Sequence, residues 1–209
     1  MKYIGCHTWC RWRSLHELSA EERRLKGSGS PEGLAPQAMT TIYTIGHSTR
    51  SLDDFTAVLK SFEIEIVCDI RTIPKSRRNP QFAGDVLQQG LAEHGIEYVH
   101  LKALGGLRHA RKDSQNAGWR NDSFRGYADY MQTEEFTQAV EDLIHLAQEK
   151  RVAIMCAEAV PWRCHRSLVG DALVVRGVEA RDITSATRAQ PHKMTPFAKV
   201  KGVEITYPA

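Results

Sequence analysis

No apolar run in this chain approaches the roughly 20 residues needed to cross a bilayer as a helix. Its first residues, MKYIGCHTWCRWRSLHELS, lack the apolar stretch of a secretion signal. Both absences predict a soluble, cytoplasmic protein with no membrane partner. Cysteine is scarce as well, five in 209 residues, too few and too scattered for a disulfide framework. Free thiols in a reducing compartment are the expectation. An excess of one charge is also missing. The net charge is +3, and residues 1–38 hold six Lys/Arg and four Glu, which leaves 22 basic and 21 acidic residues beyond them. So balanced a body does not suit indiscriminate binding to polyanions.

What is present is enough apolar material for a core: 42% of the residues, in a chain long enough for one domain. LKGSGSPEGLAPQAM, residues 25–39, is rich in Gly, Ser and Pro and reads as a linker. Residues 1–38 are therefore expected to be an extension and linker, and Met39 a natural start for a domain over 39–209. Cys6, His7 and Cys10 lie in the extension. No second ligand pair follows them, so no metal is assigned there.

From residue 41 strands and helices alternate. TIYTI (41–45) is rich in strand formers, and SLDDFTAVLKSF (51–62) has helical spacing, with Ser51 and Asp54 placed as a capping box. EIEIVCDI (63–70) predicts a second strand, VLQQGLAEHG (86–95) a helix closing on Gly95, and IEYVHL (96–101) a third strand. After a polar loop of roughly twenty residues come FRGYADYM (124–131) and a helix over 133–150 opened by Thr133. RVAIMC (151–156) is the fourth strand, 164–176 another helix, and VEARDIT (178–184) the fifth strand. The predicted fold is a three-layer, Rossmann-like α/β domain: a mostly parallel five-stranded sheet with helices on both faces.

In such sheets ligands bind beyond the carboxyl ends of the strands. That edge gathers Gly46, His47 and Ser48 after the first strand, Asp69 and Arg71 after the second, and Gly105 and Gly106 after the third. Cys156, Glu158, Cys164, His165 and Arg166 follow the fourth. Cys164 would sit near a helix N-terminus, where the dipole and free N–H groups favour a thiolate. It is the candidate nucleophile, with Glu158 or His165 as acid/base. Arg71 and Arg166 are candidates to hold an anion by paired hydrogen bonds. Cys156 ends an apolar strand and reads first as a core thiol. Together with Cys164, His165 and His47 it could also hold a metal, at an irregular spacing. Gly46, His47 and Ser48 could form a phosphate-cradling turn. Asp69 and Arg71 read equally well as a structural ion pair at a strand end or as ligand-binding groups. Two basic loops, 74–82 and 105–125, lie on the same edge, and Trp119 in the second could stack a base.

Six segments then fall in order: YTIGHS (43–48), CDIRTIPKSRRNPQF (68–82), YVHLKALGG (98–106), YADYM (127–131), MCAEAVPWRCHRSLV (155–169) and HKMTPFAKVKGVEITYP (192–208). Together they resemble the family of domain of unknown function 488 over residues 41–208. The resemblance implies a compact α/β domain and singles out the Cys-Ala-Glu element at 156–158 and the Cys-His-Arg element at 164–166. It implies no particular reaction and leaves the cofactor unknown. The sequence thus points to a small enzyme or ligand-binding domain for an anionic small molecule or nucleotide-like ligand. The site would comprise His47, Ser48, Asp69, Arg71, Cys156, Glu158, Cys164, His165 and Arg166. The alternatives are a nucleic-acid-binding accessory protein and a thiolate metal-binding or redox-sensor module.

Overall fold

A computed structural model describes residues 40–209; the extension and linker expected over 1–38 lie outside them. Beyond residue 40 the chain runs β1 (Thr41–Gly46), α1 (Leu52–Ser61), β2 (Ile66–Asp69), α2 (Gly84–Glu93) and β3 (Glu97–His100). Then come α3 (Asp122–Tyr130), α4 (Glu134–Glu149), β4 (Val152–Cys156), α5 (Arg166–Val174), β5 (Glu179–Ser185) and β6 (Arg188–Pro191). A separate hairpin of β7 (Lys199–Lys201) and β8 (Glu204–Thr206) follows.

Local chemistry accounts for the helix ends. Ser51 Oγ accepts from the Asp54 N–H at 3.0 Å and donates to the Asp54 carboxylate at 2.7 Å, a reciprocal cap that contributes about 1 kcal/mol. Thr133 caps α4 by accepting from the Phe136 N–H. Gly95, at φ +76°, closes α2 in the left-handed region that glycine tolerates best. The second strand is shorter than its sequence suggests. Glu63 also takes a left-handed φ of +54°, and residues 62–64 bond back to the last turn of α1, so β2 starts only at Ile66.

The strands lie in the order β3-β2-β4-β1-β5-β6. The first five are parallel, as expected, and the sixth is antiparallel. It is antiparallel because only two residues separate it from β5, and a short connection can only turn the chain back on itself. Helices cover both faces. Phe55, Val58 and Leu59 of α1 and Leu87 and Leu91 of α2 pack with Ile45, Val67 and Met155 on one side. On the other, Tyr127 of α3, Phe136, Val140 and Leu143 of α4, and Leu168 and Val169 of α5 pack with Ile42, Cys68 and Ile154.

This order places β1 beside β4 although their helices leave in opposite directions. From β1 the chain crosses one face through α1 to reach β2, while from β4 it crosses the other face through α5 to reach β5. Right-handed crossovers require that divergence, and it opens a crevice above the carboxyl ends of β1 and β4.

Candidate functional site

The crevice starts where β1 and β4 stop being strands. Gly46 pairs with Cys156 in register, and the two chains stay zipped for two further residues: His47 N–H donates to Cys156 O and Ser48 N–H to Ala157 O, both at 2.9 Å. The Glu158 carbonyl folds so closely over β1 that a Cβ on residue 46 would lie 1.8 Å from its oxygen. Glycine is therefore required there by the neighbouring backbone. Ser48 then takes φ +54°, a conformation that costs a non-glycine residue of order 1 kcal/mol or more.

His47 is buried and stacks on Phe82 with ring centroids 4.1 Å apart. A guanidinium can only donate, so Arg71 Nη1 donates to His47 Nε2 at 3.4 Å. His47 Nδ1 must then carry the proton it donates to Ser48 O at 2.8 Å. Burial lowers the pKa of this imidazole, and the Arg71 charge lowers it further. His47 is thus a neutral ring with a fixed tautomer.

Asp69 and Arg71 form a buried ion pair. Arg71 Nε donates to both Asp69 oxygens at 2.9 and 3.1 Å, and Nη2 donates to Asp69 Oδ2 at 2.5 Å and to the Phe82 carbonyl at 2.9 Å. Asp69 also accepts from the Tyr98 hydroxyl and from the Arg71 backbone N–H. The structural reading of this pair therefore holds for Asp69, whose acceptors are committed inside the protein. Arg71 also lines the crevice.

Cys156, Cys164 and His165 meet on the crevice floor, each offering a donor atom within 4.8 Å of the others. Cys164 Sγ lies 3.7 Å from His165 Nδ1, and His165 Nε2 donates to the Ile70 carbonyl at 3.0 Å. The Arg166 N–H donates to Cys164 Sγ at 3.4 Å. Both thiols are nearly closed off, Cys156 at 7% and Cys164 at 4% exposure. The Cys164 S–H donates to Cys156 and drives the Cys156 pKa well below that of an ordinary thiol, with His165 and Arg166 adding to the effect. The same bond pushes Cys164 up, as does its burial. Cys68 lies deeper, where burial pushes it up to about 12. The expectation for Cys164 rests on the helix end alone; in the fold a second thiol, Cys156, stands beside it, and of the pair Cys156 is the one whose pKa is lowered.

Two other candidates stand elsewhere than expected. Arg166 does not reach the crevice. It is 1% exposed and spends its guanidinium on the Glu158 carbonyl at 3.2 Å and the Ala159 carbonyl at 3.5 Å, so it ties down the loop after β4 and cannot clamp an anion with Arg71. Glu158 is exposed on the crevice wall, and its carboxylate bonds to no described residue. The Ile70 carbonyl, a group no sequence pattern marks, orients His165 in its place.

The crevice encloses about 940 Å³. Arg71, Lys75, Arg77, Arg78 and Arg163 line it, against Glu158 as the single carboxylate. Lys75, Arg77, Arg78 and Arg163 are exposed and form no ion pair with any described residue. The second basic loop is different. Trp119 stacks on Phe124 at 4.7 Å and meets Phe197 and Tyr207 edge-on or tilted, so it is part of the packing and offers no platform for a base. Arg108 sits 3.5 Å above the Tyr130 ring, and the loop is tied to Asp129 through Ser114, Asn116 and the Arg111 N–H.

The mostly parallel sheet with helices on both faces, and the crevice at its topological switch point, define a Rossmann-like α/β domain. Residues 51–173, more than half the chain, match the family model of domain of unknown function DUF488, and the chain belongs to that family. Comparison with curated proteins gives no match, and neither does comparison with solved structures. No helix among the described residues is long and apolar enough to cross a membrane.

Proposed function

We propose that this domain binds an anionic, phosphate-bearing small molecule of nucleotide size in the crevice. The Cys156–Cys164–His165 cluster on the floor is its chemically active element. The observation that carries the reading is the charge of the lining: five cationic side chains face one carboxylate around a concave site, and four of the five form no ion pair among the described residues. Cations arranged in this way hold an anion by charge-assisted hydrogen bonds. The reading favours an enzyme over a passive binder because two thiols and an imidazole converge where the bound molecule would end. The three described cysteines are free thiols, which suits a cytosolic setting.

Calorimetric titration with inorganic phosphate and with a nucleoside monophosphate tests it. Arg77→Glu/Arg78→Glu should weaken binding at least about tenfold through lost and reversed charge. Unchanged affinity, or no binding by the unsubstituted protein, would refute the reading. Tight binding of a single-stranded oligonucleotide with a steep salt dependence, and none of a mononucleotide, would move the assignment to a nucleic-acid partner.

A further inference from the structure

The floor cluster has the composition and the support of a metal site. We infer that Cys156, Cys164 and His165 bind one zinc ion, with the fourth coordination position open to the crevice. This deepens the proposed reading by naming what occupies the cluster, and it rests on that reading only for the use of the open position.

Four observations carry it. The first is spacing. Zinc–sulfur and zinc–nitrogen bonds of about 2.3 and 2.0–2.1 Å at tetrahedral angles put the two ligand atoms roughly 3.5 Å apart. Cys164 Sγ and His165 Nδ1 are 3.7 Å apart, and all three donor atoms fall within 4.8 Å. The second is orientation. His165 donates its Nε2 proton to the Ile70 carbonyl, which leaves the Nδ1 lone pair facing the sulfurs. A metal-bound histidine is anchored in this way, through its other ring nitrogen to a carbonyl or carboxylate. The third is the hydrogen bond from the Arg166 N–H to Cys164 Sγ, which supports a thiolate without competing for the metal. The fourth is clearance. A Cβ at Gly106 would stand 2.9 Å from His165 Nδ1, so glycine keeps the approach to the ligand atom free.

The donor set selects the ion. Two thiolates and an imidazole suit zinc and disfavour magnesium or calcium, which take oxygen ligands. Three protein ligands with an open position are the pattern of reactive zinc sites, whereas structural sites are closed by four. His47 does not supply the fourth ligand, because its Nε2 is held by Arg71 and its Nδ1 by Ser48. All three ligands line the crevice, so the fourth position belongs to water or to an oxygen of a bound anion. The eight-residue separation of the two cysteines, unlike the short spacings of zinc knuckles, left a metal at these residues as only one of several readings of the sequence. The turn between β4 and α5 brings them together.

The test uses full-length protein carrying Cys6→Ser and Cys10→Ser, so that the extension cannot contribute thiolates. Chelator-stripped, reduced protein titrated with cobalt(II) should take up one equivalent. It should show the intense near-ultraviolet sulfur-to-metal charge transfer and the visible bands of a tetrahedral site. Zinc should displace the cobalt, and Cys156→Ser or Cys164→Ser should each weaken zinc binding by roughly a hundredfold or more. Cobalt uptake without charge transfer, or zinc affinity indifferent to both substitutions, would overturn the assignment. Should the serine variants fail to fold, zinc loading of the otherwise unsubstituted domain must slow alkylation of Cys156 and Cys164, located by peptide mapping. Equal alkylation with and without zinc would also overturn it. Phosphate titration of the metal-free protein separates the two proposals. Phosphate binding without zinc uptake sinks the zinc site alone, and zinc uptake without binding of phosphate or nucleotide sinks the anion cleft alone.

Discussion

His192 Nε2 lies 3.0 Å from Asp171 Oδ1, away from solvent and away from the crevice. On its other side His192 Nδ1 lies 3.0 Å from Asp182 Oδ2, so one imidazole bridges α5 and β5. Asp171 also accepts from the Tyr207 hydroxyl and the Thr195 N–H, and Asp182 accepts from Thr44. The Arg166 charge acts on Asp182 as well. This network pins the segment after β6 against the sheet.

The network predicts a pH dependence of stability. Burial works against a charged His192, whose side chain is 3% exposed, but hydrogen bonds and charge from Asp171 and Asp182 outweigh it and raise its pKa to about 9. A raised folded-state pKa contributes stability that is fully present below the unfolded value near 6.5 and is lost as pH rises through about 9. The shift corresponds to about 3 kcal/mol. Melting temperature should fall between pH 6.5 and 9 in the unsubstituted protein, and His192→Gln should be less stable at pH 6 and flatter across that window. Equal slopes would show that His192 is uncharged in the fold.

Asp69→Asn should destabilise strongly. It leaves the Arg71 guanidinium buried without its counter-charge, a change that typically costs 3–5 kcal/mol. Asp69→Asn combined with Arg71→Leu should recover part of that loss, because no charge is then left behind. Urea unfolding of the two single variants and the double variant closes the cycle. Strict additivity would mean that the pair is not coupled.

Glycine substitutions should separate crowding from backbone conformation. At residue 46 a Cβ meets the Glu158 carbonyl at 1.8 Å, whereas at residue 95 it meets nothing within 4 Å but must accept φ +76°. Gly95→Ala should therefore cost about 1 kcal/mol. Gly46→Ala should cost several times more and also disturb the loop that carries Glu158. Thermal melts of the two variants give the comparison.

Trp119→Ala should behave as a core substitution, costing about 3–5 kcal/mol, and should leave any affinity for oligonucleotides unchanged once folding is allowed for. Weaker oligonucleotide binding at unchanged stability would restore the stacking role.

Periodicity and capping residues made the sheet and its helices legible, because Ser51, Thr133 and Gly95 act through their near neighbours. The carboxyl edge was legible too, since parallel topology alone brings His47, Arg71 and Cys156 to one end. Other features depend on side-chain direction or long-range contact. Arg166 turns from the crevice to the Glu158 and Ala159 carbonyls, His165 is aimed by the Ile70 carbonyl, and Trp119 finds three aromatic partners, two of them from the far end of the chain. Each of those outcomes is set by backbone groups or distant residues that local pattern does not contain.

The position of β1 bears on how the chain comes to fold. The first strand of the sheet is also an inner one, flanked by β4 and β5, and its Thr44 reaches a partner 138 positions later. During synthesis this apolar segment must wait with both edges unpaired until β4 is made, about two thirds of the way through the described residues, and with one edge open until β5 follows. Loop closure over such separations is slow, and an open strand edge invites intermolecular pairing. Yield in cells should therefore respond to chaperone supply more steeply than equilibrium stability alone would indicate.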